Sequence, residues 1–236
     1  MSALLNQNST VYCIDGDYLV GDESSGPFYE ALEGFGDRFR AAGDRADIIR
    51  FINEAYEKYQ AQKKHSGGEA TFIVIKNLQF LDIVKTMLKG EAVDESEFID
   101  DGPPREAEVN PADPFAAVNA IFANRKSDDR LGVSEKLIKM VEEGSGLGIY
   151  FVVTSLEYQT VREVMYYGVN VLSRFPERII FSLGANDADN LIENVSVAGL
   201  RDNTVYFTDG VKNTFQLKPY VTPKPDELKE FVDTIL

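Results

Sequence analysis

Short apolar runs alternate with longer stretches of helical periodicity along this chain. Val11-Tyr-Cys-Ile-Asp15 is a run closed by Gly16, which predicts a buried strand. A glycine-rich acidic loop is expected after it. Ile48, Ile49, Ile52, Ala55, Tyr56 and Tyr59 recur at helical spacing, so a helix is predicted over 45–63, capped by Asp44 and ended by Gly67 and Gly68. Phe72–Ile75 reads as a second buried strand and 81–88 as a helix. Further helices are expected over 114–124 and 134–143, and strands over 148–153 and 178–182. A helix over 187–193 and a hairpin of 204–208 with 213–218, turning at Asp209-Gly210, come next. Pro225 opens a final helix reaching Leu236.

Strands that are apolar throughout, rather than alternating, are buried on both faces. Interleaved with helices, they predict an α/β fold with a mostly parallel sheet covered on both sides. One stretch departs from the pattern. Residues 90–114 hold nine acidic residues, one arginine and four prolines, too little apolar surface to fold alone. They read as an exposed insertion in a single domain spanning 1–236.

The chain has 236 residues, 44% of them apolar, and a net charge of −15. Nucleic-acid affinity comes largely from basic groups neutralising phosphates, so this charge and the absence of a Lys/Arg cluster argue against a nucleic-acid partner. No run of about 18 apolar residues spans a membrane, and Met1–Leu5 is too short and uncharged for a signal peptide. A lone cysteine, Cys13, forms no internal disulfide and points to a reducing compartment, the cytoplasm. With one cysteine and one histidine, the common Cys/His zinc sites are out of reach.

Four features invite a chemical reading. Gly16-Asp-Tyr-Leu-Val-Gly21 has the glycine spacing of a phosphate loop, but Asp22 and Glu23 stand where Lys and Ser/Thr belong. Two carboxylates there repel a phosphate, so an acidic loop is expected. Gly144-Ser-Gly-Leu-Gly148 follows a helix and enters a strand, the reverse of a dinucleotide fingerprint, and reads as a helix-ending connection. His65, in a polar stretch, reads as a solvated helix end. Thr154 and Ser155 follow the 148–153 strand, where a doubly wound sheet has its ligand crevice; they either contact a ligand or simply end the strand.

Taken in order, "VYCIDGDYL", "FIVIKNLQFL", the stretch from Gly146 to Ile192 and "LRDNTVYFTDG" resemble the strands of FtsK/SpoIIIE-type RecA-like ATPases. Within that family the acidity and lost motifs look most like the C-terminal ATPase domain of type VII secretion ATPases. The resemblance implies a RecA-like P-loop NTPase fold in a membrane-anchored protein-export motor. The domain itself would be cytoplasmic, without direct membrane contact, with secreted WxG-type proteins and neighbouring ATPase domains as partners. It places Lys76 and Asn77 where the Walker B acids belong, Thr154 and Ser155 at a nucleotide-sensing strand end, and Arg174 toward a neighbouring subunit.

Lysine cannot hold Mg²⁺ and asparagine is a poor base, so hydrolysis is not expected and no catalytic residue is assigned. The family's phosphate loop and first strand precede the Val11 strand, and the sequence here begins without them. ATP and Mg²⁺ are expected only if an upstream phosphate loop completes the site, in which case the domain would be an active ATPase. Between Arg162 and Leu172 there is more apolar surface than one helix face needs, so Met165, Tyr166 and Tyr167 are candidates for a partner-binding face, with core packing as the alternative. Without the first strand, 148–153 and 178–182 should either pair directly or leave the chain marginal and prone to edge aggregation.

Overall fold

In the computed structural model the described residues are 4, 9–21, 24–65, 68–94, 131–166, 171–181, 191, 204–210, 213–219 and 221–235, excepting the side chains of Leu19 and Tyr166. The first sheet has the order β2-β1-β3-β4: β1 is Ser9–Asp15, β2 Phe39–Ala42, β3 Ala70–Lys76 and β4 Ile149–Val153. All three pairings are parallel. The helices are α1 (Gly26–Leu32), α2 (Arg45–Lys64), α3 (Asp82–Leu88), α4 (Val133–Glu143) and α5 (Pro225–Ile235).

Strand residues alternate between two cores, one on each face of the sheet. Ile14, Ile73, Ile75 and Ile149 point into the larger core with α2, α3 and α4. Val11, Phe72 and Val74 point the other way, toward Leu4, α1 and α5. Central β1 is buried along its whole length, which is why its sequence shows no alternation. Helix α2 follows its predicted stripe, from Ile48 to Tyr59, and Asp44 caps it by accepting from the Asp47 N–H at 2.7 Å. Burying each large side chain of that stripe contributes about 1.5–3 kcal/mol.

Helix α1 and strand β2 lie within the expected acidic loop, where no element was read. Strand β2 is a four-residue edge strand with only Ala42 buried, so its sequence carries little pattern. The glycine run at 144–148 ends α4 as expected, with Gly148 left-handed at φ 75°. His65 is an exposed helix end whose N–H reaches the Ala61 carbonyl. The insertion from 95 onward and the helices expected over 114–124 and 187–193 fall outside the described residues, apart from Leu191.

Two expectations are corrected. Strand β5 (Arg178–Ile180) is not another buried parallel strand. It pairs antiparallel with β6 (Val205–Thr208), which pairs with β7 (Thr214–Leu217) in a second sheet. Nor does β5 pair with β4; the hairpin supplies its hydrogen bonds instead. Among the described residues β4 and β5 each keep one unpaired edge, and both carry solvent-facing apolar groups: Tyr150 is 41% exposed, Val152 48%, Ile179 61% and Phe181 62%.

The second correction concerns Met165. It and Val164 lie in a wide helical turn, Arg162–Tyr166, and are 3% and 2% exposed in the larger core. Met165 is therefore a packing residue and offers no surface to a partner. The side chain of Tyr166 and all of Tyr167 lie outside the described residues. No helix among the described residues is long and apolar enough to cross a membrane.

Candidate functional site

The polar groups converge where β1 and β3 end. Parallel register sets Asp15 directly beside Lys76, the last residues of their strands. Asp15 is completely buried. Its Oδ2 accepts from Lys76 Nζ at 3.2 Å and from the Tyr29 hydroxyl of α1. Its Oδ1 accepts from the Asp17 N–H at 2.9 Å, which turns the chain sharply after β1. Asp17 Oδ2 accepts from Lys76 Nζ at 2.6 Å, and its Oδ1 accepts from Asn77 Nδ2 at 2.6 Å. Lys76 Nζ also reaches Ser25 Oγ, just ahead of α1.

One ammonium thus faces two carboxylates and a hydroxyl. The charge states follow from these contacts. The hydrogen bond from Lys76, helped by that from Asn77, holds the Asp17 carboxyl below its ordinary range. Burial works against the charge on Lys76, but its bonds to Asp17 and Asp15 outweigh it and raise its pKa. Burial pushes the Tyr29 hydroxyl far up and the Cys13 thiol to about 11, so both stay neutral at pH 7.

Asn77 has its own structural reason. It stands at φ 56°, ψ 58°, the left-handed conformation that asparagine tolerates better than most residues. The turn brings its carbonyl against Gly16. A Cβ on Gly16 would lie 2.5 Å from the Asn77 carbonyl oxygen and 3.1 Å from Phe80 Cβ. Any side chain at position 16 would therefore collide with the Asn77 turn.

Thr154 is brought to the same strand end. Its N–H reaches the Ile75 carbonyl at 2.8 Å, and its hydroxyl accepts from the Asn77 N–H at 3.0 Å. Ser155 Oγ donates to Gln79 Oε1 at 3.3 Å. Arg174 is exposed at the end of the short helix Val171–Arg174, and no hydrogen bond joins it to Thr154 or Ser155 among the described residues. Sequence reasoning named Lys76, Asn77 and Thr154 but missed Asp15, Asp17, Ser25 and Tyr29. The signal was the opposite charge at two adjacent strand ends, "CID" and "VIK".

No known family pattern matches this chain, and no curated protein matches it significantly. A solved structure does: the pCW3 conjugation coupling protein TcpA, monomer form with ATPγS, with a TM-score of 0.56 at 12% identity. The match covers 96% of this chain and 58% of that one, so this chain spans little more than half its length. The fold is RecA-like.

That architecture implies ATP and Mg²⁺, and the residues present do not fit the metal. Lys76 carries a positive charge of its own and is bonded to Asp15 and Asp17, and Asn77 is spent on Asp17 and on its turn. Among the described residues no group of three His, Cys, Asp or Glu side chains is placed to hold a metal ion. Chemically, Lys76 is held charged, Asp17 ionised and Tyr29 neutral near pH 7, in a hydrogen-bonded network closed on itself.

Proposed function

We propose that the chain is an ATPase-like domain that binds proteins without hydrolysing ATP, within a type VII protein-secretion motor. The observation that carries the first half is Lys76, whose ammonium stands among the strand-end oxygens where an active domain needs carboxylates free for a metal. The RecA-like fold and its likeness to a coupling protein support the motor setting. The partners in this reading are secreted WxG-type proteins and neighbouring ATPase domains. A net charge of −15 favours basic partner surfaces and steers their approach. The domain works in the cytoplasm, tethered to the membrane through the rest of its parent.

Two measurements test this. ATP turnover by the chain with Mg²⁺ should not exceed background, and turnover abolished by Thr154→Ala would refute the non-hydrolysing half. Calorimetric titration with a purified WxG-type protein should show binding that adding ATP does not change; absence of binding would refute the export half.

A second reading rests on the unpaired edge of β4, which Thr154 follows. A phosphate loop and strand supplied from upstream would there complete an active ATPase. Thr154 and Ser155 would then face the nucleotide and Arg174 a neighbouring subunit. This reading requires nucleotide binding once that upstream segment is included.

A further inference from the structure

The mismatch between this site and a bound divalent ion has a positive side. Lys76 Nζ lies 3.2 Å from Asp15 Oδ2 and 2.6 Å from Asp17 Oδ2, with Ser25 Oγ as a third oxygen. The two acids are 0% and 8% exposed. The ammonium is thus the cation that both carboxylates face where little water reaches them.

We propose that Lys76 is the resident counter-ion of this strand end, a covalently attached cation that makes the folded domain independent of added metal ions. The proposal rests on the non-hydrolysing reading and adds how the site does without its metal. Three segments are fixed by this one side chain: the end of β1 through Asp15, the following turn through Asp17, and the start of α1 through Ser25. The groups facing Lys76 are Asp15 and Cys13 from β1, Asp17 from the turn, and Tyr29 from α1. Cys13 and Tyr29 are neutral, so the balance of charge is two carboxylates against one ammonium.

The test is a pH and metal profile of thermal unfolding for the full chain and Lys76→Met, which keeps the apolar stem. The parent should melt at the same temperature at pH 5.0 and pH 7.5, with or without 5 mM MgCl₂. Lys76→Met should lose roughly 10 °C at pH 7.5. Without the ammonium, carboxylate repulsion and burial raise the carboxyl pKa of the folded state above about 3.9, its unfolded value. The folded state then binds more protons than the unfolded one, so stability falls as pH rises, and part of the loss should return at pH 5.0. Lys76→Met/Asp17→Asn, which removes one carboxylate, should lose this pH dependence, and Lys76→Arg should keep most of the parent's stability. A Lys76→Met protein equally unstable at both pH values, or unfolded at both, overturns the proposal. So does a parent stabilised by MgCl₂. Failure of the non-hydrolysing reading shows instead as ATP turnover, which this experiment does not measure.

Discussion

The two ends of the main sheet differ in what holds them. Where β1 and β3 end, Asp15, Asp17, Ser25, Tyr29 and Asn77 all bond within the network around Lys76, and β1 is buried along its whole length. At β4 the backbone edge is unpaired, and Tyr150 and Val152 face outward. At the closed region Lys76 supplies the cation that Asp15 and Asp17 face, so side chains tie the ends of β1 and β3 together. Strand β4 instead keeps a free row of backbone groups on its outer side among the described residues.

The comparison breaks if the two regions respond alike to substitution. The largest losses should come from two sites, the first in the larger core: Met165→Ala should cost about 3 kcal/mol in urea unfolding. A loss below about 0.5 kcal/mol would place Met165 on the surface after all. Lys76→Met should cost about 3 kcal/mol at pH 7, the lower end for a broken buried pair, because Lys76 is 31% exposed.

The same ion pair sets the pH limits of the parent. Asp17 has a lowered folded pKa, so its contribution is complete above about pH 3.9 and is lost as pH falls through the folded value. Lys76 has a raised pKa, so its contribution is complete below about pH 10.4 and is lost above it. Unfolding followed by circular dichroism should therefore show a plateau between these limits, and Asp17→Asn should flatten the acid side.

Gly16→Ala should cost about 2 kcal/mol, because the new methyl meets the Asn77 carbonyl, a backbone atom that cannot swing aside. The smallest effect belongs to the open edge. Val152→Lys should change stability by less than about 0.5 kcal/mol while lowering the tendency to associate, measured by light scattering, since charge on an edge strand blocks edge-to-edge pairing. A loss of 2 kcal/mol there would mean that the edge is covered.

Much of the closed region could be read from residue order. Runs such as Val11–Ile14 and Phe72–Ile75 are apolar because both sheet faces are covered, and Lys76-Asn77 stood out against the acids expected there. The partners of Lys76 were not legible, because they lie 61, 59 and 51 residues away. Only the parallel register makes Asp15 its neighbour. Strand β2 escaped notice because Phe-Arg-Ala-Ala is short and mostly half-exposed. Strand β5 was misread because Ile179 and Ile180 are both apolar, which suggests two buried faces, whereas only Ile180 is buried. Met165 illustrates the converse: apolar excess over one helix face reflected burial in a wide turn.

In the proposed reading Lys76 supplies the positive charge of a strand end that takes up no metal. The most direct measurement is calorimetric titration of ATPγS with Mg²⁺, together with ATP turnover, into the chain extended by about 30 residues of its natural upstream sequence, the length of a βαβ strand-and-helix unit. The account predicts no turnover, and any binding unchanged when EDTA replaces Mg²⁺. Mg²⁺-dependent hydrolysis lost on Thr154→Ala would contradict it.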